Sequence, residues 1–288
     1  MKRYIVTLIL LALIFIMYGC STAYINPRLD DFHDATETVG DSVIKIFSEL
    51  QSEEMNLIAE KAVNKQRISP GDLEPGVFTF KYMRVRKELV GSIVNYTKML
   101  SALFETDHRE ELKKYTKIVE ENLNMVSAGN PGLFREKEKG FISAISLAIP
   151  EALSYAKKRK FILKMMKNVQ PLIKKISEKL ADELLSAKIL ADNFYLRLFR
   201  EKVAEQWPEK ISKRLKYSKL GVQIVRKKRR TSRFIEEVIK ALKMIPATHL
   251  KIRESLEKNK NVYFALKELI NYGYRVRKSY EKFSGKGG

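Results

Sequence analysis

From about residue 30 onward, apolar side chains recur in steps of three and four. Val39, Val43, Ile46, Phe47, Leu50, Leu57 and Ile58 form one series, and Leu89, Ile93, Tyr96, Leu100, Leu103 and Phe104 a second. Leu112, Tyr115, Ile118, Val119 and Val126 follow. Phe161, Met165, Val169, Ile173, Ile176, Leu180 and Leu184 then begin a run that continues through Phe194, Tyr195, Leu198 and Phe199. That spacing puts the side chains on one face of a 3.6-residue helix. An apolar helix face is stable only when another element covers it. No segment alternates with period two, so no sheet is expected. The expected fold is all-α: an elongated antiparallel bundle of about seven to nine helices over residues 31–283.

Glycine, proline and capping residues divide the pattern. The run from Ile68 to Gly76 holds two prolines and two glycines and reads as a loop. Asp107, with Glu110 and Glu111 behind it, reads as a helix restart. Ala128 to Gly132 is a second break. Pro150, Pro208 and Pro246 suit the first turn of a helix, where a missing N–H costs nothing. Pro171 sits inside an unbroken stripe, so a kink within one long helix is expected there. Thr231 or Ser232, followed by Glu236 and Glu237, reads as a further cap, and Asn259 to Asn261 as a last break. Gly273 lies inside a helical pattern, as a close helix contact or a bend. Residues 284–288 read as a flexible tail.

The N-terminus has a different design. Lys2 and Arg3 precede an uncharged, nearly all-apolar core from Ile5 to Tyr18, then Gly19 and Cys20, the only cysteine among 288 residues. A basic pair, a short apolar core and a small residue form the layout of a secretory signal. The core is short of the roughly 20 residues a spanning helix needs. Met17-Tyr18-Gly19-Cys20 resembles the lipobox of bacterial lipoproteins. That resemblance covers residues 1–20 alone. It implies cleavage after Gly19, removal of residues 1–19 as a signal peptide, and lipidation of the Cys20 thiol, with palmitate among the acyl groups. Residues 20–30 would then tether the bundle to the membrane of a bacterial cell envelope. Ser21, where inner-membrane lipoproteins often carry Asp, points to the outer membrane if the source has two. A lone cysteine leaves no internal disulfide, so the mature chain must fold on its hydrophobic core.

Charge is distributed unevenly. Residues 1–150 carry 19 Lys+Arg against 20 Asp+Glu, whereas residues 151–288 carry 36 against 14. The chain thus has a near-neutral half, 31–150, and a strongly basic half, 151–283. Two windows lack acids altogether. Ala152 to Ser177 includes Lys157, Lys158, Arg159 and Lys160. Lys210 to Ile235 includes Arg226, Lys227, Lys228, Arg229 and Arg230. These nine cations are the candidate anion-binding residues, because a concentrated positive surface attracts anionic partners. In an envelope these are anionic lipid, lipopolysaccharide, wall polymer or an acidic protein. The pentad from Arg226 to Arg230 also resembles a nucleic-acid patch. Its nearest aromatics, Tyr217 and Phe234, do not interleave with the cations, and an exported chain meets little nucleic acid, so no nucleic-acid partner is expected.

The sequence offers no catalytic or cofactor motif. There is no G-x-S-x-G elbow, Gly-rich phosphate loop or HExxH pattern. His33 lies among Asp30, Asp31 and Asp34 and reads as part of a solvated acidic helix start rather than a metal site. His108 and His249 fall near expected helix starts. No metal, cofactor or enzymatic activity is expected. Trp207 and Tyr263, Tyr272, Tyr274 and Tyr280 suit half-buried amphipathic positions. The leading expectation is a non-enzymatic lipoprotein with a structural or adaptor role, its basic half on an anionic surface. One alternative is a membrane-active, pore-forming-like bundle inserting segments 157–185 and 210–245. Another is a carrier holding a hydrophobic ligand between helices.

Overall fold

The computed structural model describes residues 26–63, 69–103, 109–129 and 155–284. Signal residues 1–19, Cys20, His108, the Asp107 cap, Pro150 and the tail beyond Ser284 lie outside them. The described chain is all-α. Six α-helices run as α1 (Asn26–Ala62), α2 (Phe80–Ala102), α3 (Arg109–Gly129), α4 (Tyr155–Phe199), α5 (Ile211–Glu257) and α6 (Tyr263–Phe283). A 3₁₀ turn, Pro70–Leu73, precedes α2, and a π-helical turn, Arg200–Ala204, extends α4. No strand occurs among the described residues.

The apolar stripes are buried as their period requires. Val39, Val43, Ile46 and Phe47 of α1 meet Leu89, Ile93 and Leu100 of α2 and the 162–184 stripe of α4 in one continuous core. Polar contacts fix the register. The His33 ring bonds Thr97 at 3.2 Å, and Phe47 packs edge-on to Tyr82 at the other end, so α1 and α2 are antiparallel. Thr116 of α3 reaches Met99. Tyr195 bonds Thr231, and Gln170 donates to the Pro246 carbonyl, which makes α4 and α5 antiparallel along their length. Phe234 stacks on Phe283, while Lys251 meets Glu268, so α5 and α6 are antiparallel too. Gly273 closes the bundle. A Cβ there would stand 3.8 Å from Ala35, so α6 lies against α1 at this point, and the helix continues through Gly273 to Phe283.

Several boundaries differ from the sequence expectation. Helix α1 starts at Asn26, five residues ahead of the expected bundle boundary at residue 31, and Leu29 is already fully buried. Helix α5 passes through both Thr231 and Pro246 in a single 47-residue element. The hydroxyls that looked like caps serve tertiary contacts instead, Thr231 to Tyr195 and Ser232 to Asp192. Ile245, Pro246 and His249 are buried, and that packing outweighs the N–H that proline lacks. Pro208 lies in the loop before α5 rather than inside its first turn. Helix α4 does run uninterrupted through Pro171.

Candidate anion-binding surface and the buried polar core

The long α4–α5 hairpin positions the basic residues. Lys227 of α5 sits against α1, bonded to Glu53 and 3.5 Å from Glu49. Burial opposes its charge, but the Glu53 bond, Tyr195 and Glu49 outweigh that, and its pKa is raised. Beyond this clasp α5 continues to Ile211, about 24 Å farther at about 1.5 Å per residue. Helix α1 ends only nine residues past Glu53, at Ala62. Near that end Lys202, in the π turn, pairs with Glu60 at 3.0 Å. The first turns of α5 and the 205–210 loop therefore form a projecting tip. Glu205 N–H closes the π turn on the Arg200 carbonyl at 2.9 Å. Arg214 then ties the loop down by donating to the Pro208 and Glu209 carbonyls.

The nine candidate cations do not act alike. Arg226, Arg229 and Arg230 are exposed and make no ion pair among the described residues. Arg226 and Arg230 line an open groove of about 630 Å³ with Lys45, Tyr280 and Phe283. Lys227 is a structural clasp, and Lys228 lies 3.8 Å from Asp192. In the other window Lys160 is exposed. Lys157 and Lys158 fall in the first turn of α4, ahead of the first described side chain. Arg159 is not a free cation: its guanidinium donates to the Leu256 and Glu257 carbonyls and caps the C-terminal end of α5. An arginine there both fills orphan carbonyls and complements the negative helix end. Among the described residues the pentad thus has three guanidinium groups without an ion pair, and in the 157–160 cluster Arg159 holds a helix junction.

Around His249 and His33 the structure has a buried polar core. His249 is fully buried in α5, its Nε2 2.9 Å from the Tyr96 hydroxyl and its Nδ1 2.5 Å from Gln170 Oε1. With Tyr96 donating to Nε2, the Nδ1–H donates to Gln170, whose amide in turn donates to the Pro246 carbonyl. Every member is satisfied only while the ring is neutral. Burial, reinforced by Arg253, pushes the His249 pKa down to about 3. Burial likewise raises the Tyr96 pKa. His33 is also buried rather than solvated, and desolvation with Lys98 nearby lowers its pKa. Its ring lies with Asp34 and Glu37 in a group whose ligand atoms are within 4.8 Å of one another, but Nδ1 is already held by Thr97. The residues of this polar core come from α1, α2, α4 and α5, and no local spacing could have brought them together.

No protein-family model, curated protein or solved structure matches the chain. Among the described residues, no helix is long and apolar enough to cross a membrane.

Proposed function

We propose that this is a non-enzymatic lipoprotein of a bacterial cell envelope, held by lipidated Cys20, with a structural or adaptor role. Its basic C-terminal half docks on an anionic envelope surface or an acidic partner. The observation that carries this reading is the exposed cationic side of α5. Between Lys210 and Ile235 there is no acid, and Arg226, Arg229 and Arg230 stay exposed although α1 offers Glu49 and Glu53 nearby. Unneutralised cations repel one another, and an external anionic surface relieves that repulsion. At about 1 kcal/mol per cation near an anionic surface, three arginines contribute about 3 kcal/mol, more than a hundredfold in affinity.

Two measurements test it. Intact-mass spectrometry of the chain from bacterial membranes, beside Cys20→Ser, should find a start at Cys20 with acyl mass that the variant lacks. Co-sedimentation of residues 20–288 with phosphatidylglycerol vesicles should weaken with salt and fall about a hundredfold in Arg226→Gln/Arg229→Gln/Arg230→Gln. Equal binding by the triple variant rules out a docking role for these arginines.

A further inference from the structure

The tip carries more than charge. Along the first turns of α5, Ile211, Leu215, Ser218, Val222 and Val225 recur at helical spacing on one face. That face is open: Ile211 is 78% and Leu215 63% exposed, and Val222 and Val225 are exposed as well. The opposite face, with Leu220 and Ile224, packs inward. The apolar stripe runs into a surface groove of about 490 Å³ between Phe199, Val203, Trp207 and Gly221, edged by Arg226 and Arg229. Gly221 lets the Phe199 ring lie close against α5; a Cβ there would stand 3.0 Å from that ring. At about 100° per residue, Lys219, Arg226 and Arg230 flank the stripe on one side and Arg214 on the other.

An apolar face bordered on both sides by cations, with a tryptophan at its margin, matches the chemistry of an anionic bilayer surface. The cations meet phosphates, the indole sits at headgroup level, and the aliphatic side chains enter the acyl boundary. Across residues 205–225 five cations stand against two acids, Glu205 and Glu209 of the loop, so the tip stays cationic as an anionic lipid surface requires.

We propose that the α4–α5 tip is a membrane-insertion site, which places Trp207, Phe199, Ile211 and Leu215 in the interface of an anionic bilayer. It rests on the anion-docking reading above and names the partner as lipid. The site is separate from the lipid anchor. Phe32 of α1 lies beside His249 of α5, and from His249 back to Ile211 the axis runs about 57 Å. Five residues separate Cys20 from Asn26, and the six steps between them reach no more than about 22 Å. The acyl chain and the tip therefore engage lipid at opposite ends of the bundle.

Trp207 is the only tryptophan, and it is 45% exposed, so its emission reports on the tip alone. The full chain would be reconstituted into vesicles of phosphatidylcholine, with or without one part phosphatidylglycerol to about two of phosphatidylcholine. Two acceptors sit at two depths: a dansyl headgroup lipid and an acyl-brominated lipid. The expected result is a blue shift and bromine quenching in anionic vesicles, both reduced by salt. In Ile211→Ser/Leu215→Ser, both exposed positions, helical content should be unchanged and bromine quenching should fall to the neutral-vesicle level, while dansyl transfer persists. Dansyl transfer without bromine quenching in the native chain overturns insertion and leaves docking standing. Neither signal overturns both. Equal quenching in neutral vesicles overturns the part given to the cations.

Discussion

Acidification should loosen this bundle through one buried ring. His249 is neutral when folded, with a pKa near 3, and ordinary, near 6.5, when unfolded. Its folded pKa is depressed, so its contribution is complete above pH 6.5 and is lost as pH falls toward 3. At pH 5.0 the unfolded ring is almost fully protonated and the folded ring almost fully neutral, which removes about 2 kcal/mol relative to pH 7.5. His33, shifted in the same direction, adds to the loss. The assay is urea unfolding followed by helical circular dichroism at pH 7.5 and 5.0, for the native chain and for His249→Gln. Glutamine has no proton to take up, so the variant should lose about 2 kcal/mol less between the two pH values, whatever its stability at pH 7.5. If both proteins respond equally to pH, His249 is not the desolvated neutral ring of the structure.

Other perturbations probe packing. A Cβ at Gly40 would lie 2.7 Å from Val90 and 3.1 Å from Val94, so Gly40→Ala should destabilise by about 1–3 kcal/mol despite alanine's better helix propensity, read as a lower urea midpoint. Arg86 joins α2 to α4 through Glu183 at 2.8 Å, with both side chains largely buried. Arg86→Ala strands that carboxylate with only Lys179 beside it and should cost about 3 kcal/mol, whereas Arg86→Met/Glu183→Leu should recover most of the loss. Arg159→Ala removes the donor from the Leu256 and Glu257 carbonyls, and amide exchange should rise in the last turn of α5 and not at Phe234.

The helix-forming stripes were legible because one face of each helix is buried, and burial writes a period into the sequence. The stop near Asn259–Asn261 was legible for the same kind of local reason. Asn259 adopts a positive φ of 53°, as a helix-ending asparagine can. Thr231 and Pro246 misled because a hydroxyl and an imide ring look alike at a helix start and in a buried helix interior. Only their tertiary partners, Tyr195 and the packed α4 face, separate the two cases. The same holds for the cations. Composition marked the 210–235 window as basic, but it could not show that Lys227 clasps α1 while Arg226 and Arg230 stay free. Tyr96, Gln170 and His249 stand 74 and 79 residues apart along the chain, and their pairing exists only in the folded bundle.

Mechanically, α5 is a beam clamped at one end. From Thr231 to Leu256 it is gripped along its buried residues by α4 and α6, with Lys227 as the outermost bolt on α1. From Ile211 to Val225 one face packs inward through Leu220 and Ile224 while the other stands open, steadied by the end of α4 and the 205–210 loop. A load applied at the free end produces its greatest bending moment where the clamp begins, near Arg226 to Arg230. Amide protection along this one helix should therefore step up across that pentad rather than fall evenly from its middle to both ends. The same five residues that carry the densest charge also mark the fulcrum, so neutralising or loading them changes how stiffly the tip is presented.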